Sequence, residues 1–164
     1  MKLKNHKLST LLFLMFALTF LACSKDEAPA VVITVTGTND VIIGLNNDLQ
    51  LAATINGVTS TEQLTWTSSN SLMATVSPQG LVTARRHGVV TITASNGSVS
   101  GEYELQLFNV SGDGLPEFDA VMVEFMRQFT VPGASYAVVK DGKLVMVRGY
   151  GLADVETQEV VTPT

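Results

Sequence analysis

From Val31 to Leu107 short runs of alternating apolar and polar residues are broken by turn residues at the intervals typical of a β-sandwich. The alternation predicts strands over Val31–Thr36, Leu49–Ile55, Leu64–Ser68, Ala74–Ser77, Leu81–Ala84, Gly88–Ser95 and Glu102–Phe108. Beyond this stretch the period changes. Phe118, Val121, Met122, Phe125, Met126 and Phe129 recur at i, i+3, i+4, i+7, i+8 and i+11, which places them on one face of a helix. Pro116 suits its first turn, and Glu117 and Asp119 suit the positive end of its dipole. Two further apolar runs flank Lys140-Asp141-Gly142-Lys143, and Asp-Gly favours a type I′ turn, so residues 134–149 are expected to form an antiparallel hairpin. Between the two patterns, residues 109–114 are polar, Gly-rich and without periodicity, which predicts a flexible linker and a domain boundary. About 75 residues suffice for a two-sheet core, whereas the 50 that follow supply one helix and one hairpin and need partners.

The start of the chain has a different pattern. Lys2, Lys4 and Lys7 precede an apolar stretch, Leu8 to Ala22, that ends at Leu21-Ala22-Cys23. At 15 residues it is shorter than the roughly 20 that cross a bilayer as a helix, which fits a secretion signal. A small residue followed by Cys resembles a bacterial lipoprotein signal peptide, and the resemblance implies cleavage before Cys23 and lipidation of that residue. Phe20 departs from the aliphatic residue usual at that position. Ser24-Lys25-Asp26-Glu27 resembles the export tag of surface lipoproteins in Bacteroidetes-type bacteria, the alternative being an ordinary charged tether. The expected location is therefore outside the cytoplasm, lipid-anchored in the bacterial outer membrane or at the cell surface.

Charge narrows the partners. Removal of residues 1–22 would leave 7 basic against 15 acidic residues, a net charge of −8, and Arg85-Arg86 is the sole adjacent basic pair. Such a surface has little hold on a phosphate backbone, so no nucleic-acid partner is expected. Cys23 is the only cysteine, which excludes an intramolecular disulfide. His87 lacks the companions that a metal site requires, and neither a metal nor a cofactor is expected.

Leu64-Thr65-Trp66-Thr67-Ser68-Ser69-Asn70, Ala74-Thr75-Val76-Ser77, Gly80-Leu81-Val82-Thr83-Ala84 and Gly88-Val89-Val90-Thr91-Ile92-Thr93-Ala94 closely resemble the bacterial Ig-like domain of group 2. Leu64 and Trp66 would alternate inward, Ser68-Ser69-Asn70 would turn the chain, and Gly80 and Gly88 would allow tight reversals. Trp66 is expected in the core rather than exposed for sugar stacking.

The helix, Val131-Pro132-Gly133, the Asp-Gly hairpin, Gly149-Tyr150-Gly151, Ala153-Asp154 and Val161-Thr162-Pro163-Thr164 together resemble the opening of the serine β-lactamase and penicillin-binding-protein-like hydrolases. That family uses a Ser-x-x-Lys nucleophile, and no Ser in this chain is followed three residues later by Lys. The resemblance places the motif past Thr164. Ser135 lies in a strand pattern without a visible base and is read as structural, so no catalytic residue is expected in the chain.

The resulting expectation is a mainly β protein: an Ig-like β-sandwich followed by a helix and hairpin forming the incomplete start of an α/β serine-hydrolase domain. Its divisions are a signal peptide (1–22), a lipidated Cys and tether (23–30), the Ig-like domain (31–108), a linker (109–114) and the truncated hydrolase edge (115–164). The implied role is the anchored N-terminal part of an acyl-enzyme hydrolase of amides, esters or lactams, inert as it stands. The alternative is a non-catalytic surface adhesion lipoprotein whose Ig-like domain binds a cell-wall or surface glycan or a protein.

Overall fold

The computed structural model describes residues 30–59 and 64–163; Cys23, the apolar leader and the charged tag lie outside them. Among the described residues nine strands build the first region: β1 (Ile33–Gly37), β2 (Val41–Ile43), β3 (Asp48–Ile55), β4 (Val58–Thr59), β5 (Thr65–Ser68), β6 (Ala74–Val76), β7 (Leu81–Ala84), β8 (Gly88–Ser95) and β9 (Ser100–Phe108). They divide between two sheets. One has the order β1-β3-β7-β6 with β4 beside β3, and the other the order β2-β9-β8-β5.

The alternation read from the sequence becomes the core. Ile33, Val35, Leu49, Leu51, Val82 and Ala84 of the first sheet meet Ile42, Val90, Ile92, Ala94, Leu105 and Leu107 of the second in one buried cluster. Successive side chains of a strand point to opposite faces, so each strand contributes every other residue to the space between the sheets. Trp66 is half-buried and packs against the cluster, as the apolar alternation around it implies. Gly80 holds a left-handed φ of 81° beside it, and a Cβ there would come within 2.9 Å of the indole Cζ2. Ser68 and Asn70 cap the following turn, accepting bonds from Asn70 N–H at 3.3 Å and Leu72 N–H at 3.0 Å. β2 is parallel to β9, pairing Val41 with Gln106 and Ile43 with Phe108.

The second region contains β10 (Val110–Ser111), α1 (Pro116–Phe129), β11 (Gly133–Lys140), β12 (Lys143–Asp154) and β13 (Glu159–Val160). Asp141 and Gly142 both take positive φ, 53° and 71°, and so form the expected turn between β11 and β12. Thr130 closes α1 in the left-handed conformation, and its N–H bonds back to the carbonyls of Arg127 and Met126.

Residues 109–114 depart from the expected flexible linker. Val110 and Ser111 pair with Tyr150 and Gly149, and the Ser111 hydroxyl donates to the Val161 carbonyl at 2.6 Å. Asn109 is buried, and its carbonyl accepts from Gly151 N–H at 3.0 Å. Two residues are too few to show a period, but they lie beside the free edge of β12 and complete its backbone bonding there.

The helix also differs in which face it buries. Asp119, Val123 and Met126 are buried, whereas Phe118, Val121, Phe125 and Phe129 keep 54%, 69%, 50% and 59% of their surface exposed. α1 has two apolar stripes, and only the narrower one meets the sheet. Val123 and Met126 join Tyr150, Ala134 and Tyr136 below and Phe108, Val41 and Ile43 of the sandwich beside them. The second region is thus seated on the end of the first through a small shared core.

Candidate functional site

Two features of the second region stand out: a buried ionic cluster and an exposed apolar groove. The cluster begins with Asp119, which the first turn of α1 carries inward. Tyr150 O–H donates to Asp119 Oδ1 at 2.7 Å, and Arg148 Nε donates to the same oxygen at 3.0 Å. A second Arg148 nitrogen donates to Oδ2, and a third to the Gly112 carbonyl. Arg148 and Tyr150 are two apart in β12, so both side chains rise from the face of the sheet under α1 and converge on one carboxylate.

The electrostatics of the cluster favour a fixed structure. Burial, then the bond to Asp119 and that group's charge, push the Tyr150 phenol up, so the hydroxyl remains a donor. The bond to Asp119, outweighing the cost of desolvation, raises Arg148 and keeps it charged. Three donors from two side chains engage both oxygens of the carboxylate. The cluster clamps α1, β12 and the 109–114 segment together.

The groove lies on the other side of α1. Phe118, Val121, Met122 and Phe125 form one wall and Tyr136, Ala137 and Val138 of β11 the other, enclosing about 530 Å³. Phe118 and Phe125 continue into ring contacts with Tyr136 at 6.1 Å and Phe129 at 4.8 Å. Among the described residues β11 pairs only with β12, so the open backbone edge of β11 borders this apolar wall.

The residues singled out in the sequence are dispersed. Ser135 is exposed on β11 opposite Gly149, and no hydrogen-bonded base adjoins it. His87 is half-buried where the two regions meet, its ring edge-on to Phe108 at 5.1 Å. His87 Nδ1 accepts from Asn109 N–H at 3.4 Å, and burial lowers the affinity of the ring for a proton. Among the described residues no three His, Cys, Asp or Glu side chains gather in metal-binding positions. Arg85 donates to Asn46 Oδ1 at 3.2 Å, so half of the one basic pair is engaged in the sandwich. Neither the ionic cluster nor the groove was foreseen. Asp119 within an otherwise apolar helical repeat was the available signal for the first, and the second apolar stripe for the other.

Residues 27–106 match the family model of the bacterial Ig-like domain of group 2, which covers the sandwich but for the last two residues of β9 and stops before α1. This stretch is a bacterial Ig-like domain. No curated protein matches the chain. Two similar solved structures are an intimin mutant of EHEC O157:H7 and an intimin–Tir90 complex, each 20% identical with a TM-score of 0.39. The first alignment covers 52% of this chain and 51% of that one, the second 57% of each. The chain thus spans a little over half the length of these solved structures. Nothing in the comparisons or the geometry supports the expectation that α1 and the hairpin open a serine-hydrolase domain.

Proposed function

We propose that the chain is a non-catalytic binding module of the bacterial surface, in which the Ig-like domain carries the α1–β11 face outward for contact with protein. The observation that carries this reading is the placement of the groove. Its apolar stripe is built on a helix fixed from behind by the Asp119 clamp and by the core shared with the sandwich, so the face is held ready rather than collapsed. Apolar surface concentrated on one rigid face is characteristic of interaction sites. A protein fits this chemistry better than a glycan, since the walls are aliphatic and aromatic with few hydrogen-bonding groups.

The family match supports the module, and the leader ending at Cys23 supports delivery by a lipid anchor. An anchor of several acyl chains would hold the chain at a membrane without a spanning helix, at roughly 0.8 kcal/mol per buried CH₂. The test uses cells producing the whole chain. Metabolic labelling with an alkyne fatty acid should mark it, and Cys23→Ala should abolish the label. The same cells should bind to protein-bearing surfaces in preference to glycan-coated ones, and should not turn over nitrocefin or a p-nitrophenyl ester. Turnover that depends on the chain would overturn the reading in favour of a hydrolase.

A further inference from the structure

We infer that the occupant of the α1–β11 face is a second copy of this chain, joined by antiparallel pairing of β11 with its counterpart across a two-fold axis at Ala137. The inference rests on reading the face as a contact surface and names what meets it. Whatever covers this surface must supply two things at once: a strand for the free edge of β11, and apolar bulk for the stripe of α1 beside it. A two-fold axis normal to the sheet returns both. The copy's β11 extends the sheet, and its α1 arrives on the same side, so that one exposed stripe faces the other.

The edge itself favours this pairing. From Gly133 to Val139 it has no charged residue, where strands at solvent-exposed edges commonly carry one against self-association. The bulge in the hairpin places its extra residue, Val145, in β12, so β11 alternates without interruption. Tyr136 and Ala134 pack on the α1 side, which puts Val138 and Lys140 on that side too. With the axis at Ala137, Tyr136 lies opposite Val138 of the copy, an aromatic against a β-branched residue, and Ser135 lies opposite Val139.

Charge fits the same register, because Arg127 in the last turn of α1 is already paired with Asp40 at 2.6 Å. Lys140, the one charge of the strand, falls opposite Ala134 of the copy, where the chain has just left the C-terminal end of α1. The last carbonyls of a helix attract a cation. An axis at Tyr136 would instead leave Lys140 beyond the paired segment.

The experiment uses the whole chain in cells. Ala137→Cys should form a disulfide-linked species of twice the mass of the processed chain, because residues facing each other across the axis bring their Cα atoms within about 4.5–5.5 Å. Leu81→Cys, exposed on the sandwich, should not. Cells carrying Ala137→Lys or Ala137→Glu should each lose self-adhesion, and mixing the two populations or co-producing the two chains should restore pairing. Absence of cross-linking at residue 137, or equal cross-linking at residue 81, overturns the second copy. If Ala137→Lys still abolishes cell binding in that case, the contact-surface reading stands with another protein as occupant; if binding is indifferent to it, both fall.

Discussion

The sandwich and the helix–hairpin region spend their apolar residues in opposite ways. In the sandwich two sheets face each other, and Leu51, Ile92, Leu105 and Leu107 are almost wholly enclosed. In the second region a single small sheet faces a single helix, and Phe118, Val121, Phe125, Phe129, Val138 and Val139 have nothing among the described residues to cover them. The comparison teaches that composition does not decide burial. A phenylalanine at helical spacing is enclosed only if the architecture supplies a second layer on its side of the helix. Here the second layer ends at Asp119, Val123 and Met126.

The contrast can be broken by substitution, with the sole tryptophan, Trp66, reporting on the sandwich by its fluorescence. The largest effect is expected from Asp119→Ala. It leaves the Arg148 guanidinium half-buried without its carboxylate and should destabilise the second region by about 3–5 kcal/mol. In hydrogen exchange α1 and β12 should lose protection, while the Trp66 transition in urea moves little. Ile92→Ala should do the reverse, costing about 2–5 kcal/mol and shifting the Trp66 transition directly. If both substitutions move that transition equally, the regions are one cooperative unit and the distinction fails.

A smaller effect should come from pH at the junction. Folding lowers the proton affinity of His87, so below its ordinary pKa of about 6.5 the unfolded chain binds a proton that the folded chain resists. Stability should therefore fall as pH drops through that value toward the lower folded one. The loss levels off once both states are protonated. Thermal melts between pH 7.5 and 5 should show this slope, and His87→Gln should flatten it. The smallest effect is expected from Phe125→Ser. In dilute solution it should change the stability of the single chain by no more than about 0.5 kcal/mol, since the ring is half exposed.

Much of the sandwich was legible because its strands alternate. The strands over Leu81–Ala84 and Gly88–Ser95 coincide with the expected ones, and the others differ at their ends by one or two residues. β2 was not, because Val41-Ile42-Ile43 is a three-residue run with no alternation, and its parallel partner lies more than 60 residues away. β10 and β13 are two-residue pairings decided by the free edge of β12, not by their own composition. The helix and the Asp-Gly hairpin were legible locally, but which stripe of α1 would be enclosed depended on where the sheet lay. The clamp was hidden for the same reason: Asp119 is 29 residues from Arg148 and 31 from Tyr150, and nothing local links them.

The central claim is that the sandwich closes upon itself while β11 and α1 await a second molecule. Hydrogen exchange of the intact chain over a range of protein concentrations tests it most directly. Amides of β8 and β9 should be strongly protected at every concentration, and the outward-facing amides of β11 should gain protection only as concentration rises. Protection of β11 that is already complete in dilute solution, or that stays absent at high concentration, would contradict the account.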